Sequence, residues 1–132
     1  MILIINTANK EYLEIALAED SDSFDVKKIE GEYRQAEQLL PAIDNILKEK
    51  NKNISDISGV GVVSGPGGFT SLRIGVVTAN TLGYALSISV VGITLDEFGS
   101  DKELVANILN KLNSAKVGNV VIPEYGREPN IS

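Results

Sequence analysis

The sequence predicts an α/β fold: a mixed five-stranded sheet covered by helices, in the order β-β-β-α-β-α-β-α, with a short C-terminal strand and tail. Three features predict it. The opening segment holds three strand-length runs joined by short polar breaks, later apolar runs alternate with stretches of helical period, and Gly59 to Val63 turns through Ser64-Gly65-Pro66-Gly67-Gly68 into a helix.

Met1 to Asn6 is an apolar run of strand length, ended by the turn-rich Asn6-Thr7-Ala8-Asn9-Lys10. Tyr12 to Ala18 alternates with a period of two, with Leu13, Ile15 and Leu17 on one face, and Phe24 to Glu30 alternates again after a polar turn. Runs this close in sequence pair as an antiparallel meander. Leu39, Leu40, Ile43, Ile46 and Leu47 predict a first helix over about Arg34 to Lys50, with Pro41 either kinking it or marking a later start. The strand Gly59 to Val63 and a second helix from Thr70 to Leu86 follow, and Ile88 to Ile93 reads as a strand buried on both sides. A third helix, Asp101 to Leu112, is capped by Ser100 or Asp101 and keeps Leu104, Val105, Ile108, Leu109 and Leu112 on one side. Asn119 to Ile122 is expected as a strand end and Pro123 to Ser132 as tail. The right-handed crossover rule makes the later strands parallel. This is the order of a ribonuclease-H-like or actin-like half. Residues 1–98 read as that domain, and residues 99–132 as a helix, strand and tail left from a second one.

At 132 residues and 43% hydrophobic content the chain buries roughly two thirds of its unfolded surface and needs no staples. Cysteine is absent, which excludes disulfides and thiolate metal sites, and histidine is absent too. The usual general base and the commonest metal ligand go with it. The start MILIIN has no basic n-region, and no apolar run reaches membrane-spanning length, so a soluble cytoplasmic protein with no membrane partner is expected. A net charge of −6 repels polyanions, so RNA is expected only through other subunits. The basic cluster Lys48-Glu49-Lys50-Asn51-Lys52 reads as an exposed helix end favoured by the dipole, with phosphate steering as the alternative.

The second helix is unusual. Leu72, Ile74, Val76, Val77, Leu82 and Leu86 spread over most of its circumference, so it needs cover on more than one side. Gly75, Ala79 and Gly83 recur every fourth position and line one ridge. A glycine inside a helix costs about 1 kcal/mol against alanine, so the ridge implies close approach of another backbone. That neighbour is either the protein's own sheet or first helix, or a partner's helix.

Few groups promise chemistry. The SGPGGFT turn lacks the lysine of a P-loop and reads as a turn with a helix start; the alternative is an anion or nucleotide seat built from Gly67, Gly68, Thr70 and Arg73. Thr70 and Ser71 suit N-capping better than nucleophilic attack, since no histidine activates them. Arg73 either grips a carboxylate or phosphate or pairs with a first-helix acid such as Glu37. Asp96, Glu97 and Asp101 read as a solvated turn rather than a metal site.

The segment GPGGFTSLRIGVVTANTLGYAL resembles the GPGSFTGLRIG-type signature of the bacterial TsaB family, also called YeaZ, a subunit of the machinery that makes threonylcarbamoyladenosine in tRNA. ILIINTA at Ile2 to Ala8 is similar to the family's ILAIDTA start, QAEQLLPAI at Gln35 to Ile43 resembles its HSE-LLP-I helix, and Pro123-Glu124-Tyr125-Gly126-Arg127 resembles its closing P-x-Y-x-R. The chain departs from the family in three ways. Asn6 stands where members usually have Asp, Gln35 where many have His, and most of the second actin-like half, the far wall of a nucleotide cleft, is expected to be missing after Phe98.

The resemblance implies a non-catalytic scaffold that binds and activates a TsaD-like threonylcarbamoyl transferase, with a TsaE-like ATPase joining the two. It implies no cofactor on the isolated chain, ATP being used by the complex. The partner interface it implies lies on the first two helices, at Gln35, Leu39, Leu40, Ile43, Leu72, Gly75, Ala79, Leu82, Gly83 and Leu86. The alternatives are a homodimer module using the same face, and a weak nucleotide-binding or peptidase-like enzyme.

Overall fold

In the meander, apolar side chains on both faces of the second strand draw it between two neighbours, and every later strand adds to one edge. The computed structural model describes residues 1–31 and 35–125. Its elements are β1 (Ile2–Asn6), β2 (Tyr12–Asp20), β3 (Ser23–Glu30), α1 (Gln35–Glu49), β4 (Gly59–Gly65), α2 (Phe69–Leu86), β5 (Ser89–Thr94) and α3 (Asp101–Ser114), with short 3-10 turns at Ile54–Asp56 and Leu95–Glu97. The five strands lie in the order β3-β2-β1-β4-β5. β1 pairs antiparallel with β2 and parallel with β4, and β5 extends the parallel side. The expected mixed sheet and element order are therefore present.

Strand alternation sorts the core into two layers. Leu3, Ile5, Leu13, Ile15, Leu17, Val60 and Val62 pack under α1 and α2. Ile2, Ile4, Ala16, Ala18, Val63, Val91 and Ile93 face the other way and are covered by Leu104, Val105 and Ile108 of α3. Ser100 caps that helix by accepting from the Glu103 N–H at 3.1 Å. α1 runs unbroken through Pro41, which faces solvent, while the buried side is Leu39, Ala42, Ile43, Ile46 and Leu47. The helix start expected at Arg34 lies outside the described residues.

One expected element is absent. Asn119 to Ile122 joins no strand of the sheet; Asn119 closes a turn on the Lys116 carbonyl, and side chains replace the ladder. The Asn80 carboxamide donates to the Val121 carbonyl at 2.9 Å and accepts from the Val121 N–H at 3.0 Å, so the backbone groups a ladder would use are already satisfied.

The ridge on α2 faces inward. A Cβ on Gly75 would collide with the Thr7 hydroxyl, one on Gly83 would collide with Val90, and Ala79 is fully buried. The close neighbours are thus the protein's own Thr7, just past β1, and Val90 of β5, and the ridge is buried against them. Thr7 locks the approach by donating from Oγ1 to the Ser71 carbonyl at 2.6 Å inside the core. That bond satisfies both buried groups.

At the outer end of the meander Glu14 stands opposite Lys28 in register. Its carboxyl lies above the usual range, first because burial disfavours the charge, then because Asp101 repels it, with Lys28 opposing both. The folded state therefore holds the Glu14 proton more tightly than the unfolded chain does, and stability is lost as pH rises through the raised value.

Two outcomes follow for stability. Gly83→Ala is expected to cost about 1–3 kcal/mol, and Gly83→Leu to prevent folding, because the added atoms meet Val90 and the Ile88 carbonyl; a denaturant midpoint for Gly83→Ala equal to wild type would contradict this packing. Glu14→Gln is expected to stabilise the fold at neutral pH, by less than about 1 kcal/mol for a half-exposed group, and so to raise the melting temperature, with the gain fading as pH falls below the unfolded carboxylate range. Paired thermal melts at neutral and acid pH measure it.

Candidate functional site

Once α2 is seated on the sheet by its small ridge, its outer stripe is left exposed among the described residues. Residues at three- and four-residue spacing share a helix face, so Arg73, Val77 and Tyr84 form one line, and all three are exposed. Val77 is 59% and Tyr84 90% exposed, and Leu40 of α1 is 61% exposed beside them. Between the helices runs an open groove lined by Ala36, Leu39 and Leu40 of α1 and by Arg73, Ile74, Val77 and Thr78 of α2. Apolar side chains that stand together in the open mark an interaction surface more often than scattered ones do.

The structure divides the predicted interface residues. Leu40 lies on the open face and Leu86 is half-buried, while Leu39, Ile43, Leu72, Ala79 and Leu82 are buried in the core beneath α1 and α2. Leu39 still floors the groove. Gly75 and Gly83 pack on the sheet, for the steric reason given above, and the Gln35 side chain lies outside the described atoms. The exposed apolar side chains on this side are therefore Leu40, Val77 and Tyr84, with Ile74 half-buried, rather than the ridge. Sequence reasoning left the exposed Val77 and Tyr84 out of the expected interface. Their signal was present, since both lie on the side of the helical wheel opposite the glycines.

The glycine turn and the groove are separate places. Gly68 is the N-cap of α2 and offers no side-chain bond, Thr70 beside it is exposed, and Arg73 lines the groove one turn on. Carbonyl oxygens crowd the turn: a Cβ on Gly67 would lie 2.7 Å from the Ala8 oxygen, and one on Gly65 would strike the Glu124 oxygen. Such a surrounding is negative, which works against anion binding.

A second concavity opens on the α3 side, at the end of β1. It is lined by Ile4, Asn6, Glu14, Ile15, Ala16, Val26, Phe98, Asp101, Leu104 and Val105. Its charged lining groups are two carboxylates, so it repels phosphate. Asn6 spends its side-chain oxygen on the Ala8 N–H at 3.0 Å, shaping the turn after β1. Glu97, expected in a solvated turn rather than a metal site, is held by Lys111 at 2.9 Å, which keeps its carboxyl below the usual range. No cluster of three or more potential metal ligands occurs among the described residues. In the basic cluster Lys48 pairs with Asp44 at 2.8 Å and Lys50 with Asp25 at 2.5 Å, so much of its charge is neutralised locally. No helix among the described residues is long and apolar enough to cross a membrane.

Comparison with known proteins agrees with this geometry. The family model described as TsaD, tRNA N6-adenosine threonylcarbamoyltransferase, matches residues 32–97. The chain is 28% identical over 98 residues to the tRNA threonylcarbamoyladenosine biosynthesis protein TsaB of Escherichia coli K12, covering 71% of this chain and 42% of that protein. It is 27% identical over 89 residues to the Bacillus subtilis 168 protein of the same name, covering 67% of this chain and 39% of the relative. The solved structure of YeaZ from Pseudomonas aeruginosa superposes with a TM-score of 0.65 at 26% identity, over 70% of this chain and 43% of that one. The chain thus spans about two fifths of the length of these relatives. With half of its residues inside the family model and its sheet matching YeaZ, the chain belongs to the TsaB/YeaZ family and has the ribonuclease-H-like half of that fold.

Proposed function

We propose that this chain is a non-catalytic subunit in tRNA threonylcarbamoyladenosine biosynthesis, and that it docks a TsaD-like threonylcarbamoyl transferase on the outer face of α1 and α2. The observation that carries the reading is the groove between those helices, with Leu40 and Val77 exposed along it. Matching helices from a partner would bury these side chains and the Tyr84 ring, and such apolar and aromatic anchors supply most of the energy of an interface. Arg73 at the groove supplies a charge that orients the partner.

The polar groups support docking over reaction. The buried hydroxyls of Thr7, Ser64 and Ser71 are each bonded to backbone carbonyls, and the chain has no histidine or cysteine to activate a nucleophile. In this reading ATP belongs to a TsaE-like ATPase in the complex, and tRNA is reached only through the transferase, as suits a chain of net charge −6.

Sizing with light scattering, of this chain alone and mixed with its cognate TsaD-like transferase, tests the proposal. A one-to-one heteromer is expected at micromolar concentration. Leu40→Asp and Val77→Asp should each weaken it about tenfold or more without moving the melting temperature, since both side chains are exposed. Separate elution of the two proteins, or a homodimer that the transferase fails to displace, would refute it.

A further inference from the structure

The C-terminal segment is held on β5, on α2 and at the end of β4 by four hydrogen bonds. Asn119 donates from Nδ2 to the Val90 carbonyl at 3.0 Å, Asn80 holds both backbone groups of Val121, and the Glu124 N–H donates to the Ser64 carbonyl at 2.7 Å. The Val121 side chain is buried and sits over Gly92 of β5, where a Cβ would lie 2.8 Å from it. The Glu124 carbonyl lies against Gly65, whose φ of +140° favours glycine and whose missing Cβ leaves room for that oxygen. Two glycines in separate strands, β4 and β5, thus make space for one crossing chain. The partner of that chain on the helix, Asn80, lies on the flank of α2 away from Ile74 and Thr78, which face the α1 groove.

We infer that residues 119–125 form a strap whose seat on Gly65, Gly92 and Asn80 holds the glycine turn and α2 in the conformation that shapes the docking face, with Asn80 as the positioning residue. The inference rests on the docking reading of that face. α2 is wedged between α1 on one flank and the strap on the other. With the strap detached, α2 keeps its seat on the sheet and its α1 flank but loses the bonds that hold its other side.

Native-state amide exchange on the full chain, together with transferase affinity, tests the strap. Asn80→Ala and Val121→Asp are expected to speed exchange at Val121, Glu124 and the Leu72 to Val76 amides about tenfold, leave the α3 amides unchanged, and weaken transferase binding about tenfold. Faster exchange at Val121 and Glu124 with wild-type rates at Leu72 to Val76 would show a passive cover and overturn the inference. So would acceleration of α3 in step with α2, which is general destabilisation. If Val121→Asp fails to fold, Asn80→Ala decides alone. A wild-type chain that does not bind the transferase defeats the docking reading, while the exchange pattern still decides whether the strap positions α2.

Discussion

The close seat of α2 on the sheet is the constraint from which the remaining architecture follows. At Gly75 and Gly83 the helix backbone comes near enough to Thr7 and Val90 that a methyl group would collide. Two helical glycines lower helix propensity by about 2 kcal/mol together, and the dense burial of Leu72, Val76, Ala79 and Leu82 against β1 and β4 offsets that loss. The Thr7 to Ser71 bond fixes the helix register at its start. Because α2 lies low, α1 and the C-terminal segment flank it, and one narrow stripe stays open.

The polar chemistry of the molecule serves its geometry. Asn6 and Thr7 shape the end of β1, Ser64 and Ser71 satisfy carbonyls around the glycine turn, and Asn80 and Asn119 secure the crossing segment. Two carboxylates mark the mouth of the α3-side cavity, and carbonyl oxygens surround the turn. These places repel anions, while the open stripe on α2 sets Val77 and Tyr84 beside the Arg73 guanidinium. The distribution favours shape recognition by a protein over binding of a phosphate.

Surface ion pairs tie the periphery in the same spirit. Lys27 with Glu49 at 2.9 Å and Lys50 with Asp25 at 2.5 Å join the end of α1 to β3, and Lys111 with Glu97 joins α3 to the turn after β5. Each contributes at most about 1 kcal/mol where exposed, so they orient elements that apolar packing has already placed.

Most of the fold was legible in the chain, because strand alternation and helical period report directly on which faces are buried. The meander, the three helices, the parallel addition of β4 and β5 and the cap at Ser100 all follow from spacing and from turn residues. The family was legible too, since the run from Gly65 to Leu86 carries the turn-and-helix signature through which the chain resembles it. What periodicity leaves open is which neighbour a small-residue ridge meets: the same glycines serve a sheet below or a helix above, and only the position of Thr7 and Val90 decided it. Likewise Asn119 to Ile122 has strand composition, yet a side chain distant in sequence, Asn80, took the bonds that pairing would have used. Local sequence thus determined which segments are regular and which faces are apolar. Tertiary structure alone decided which apolar face was left uncovered, because that depends on contacts between residues far apart in the chain.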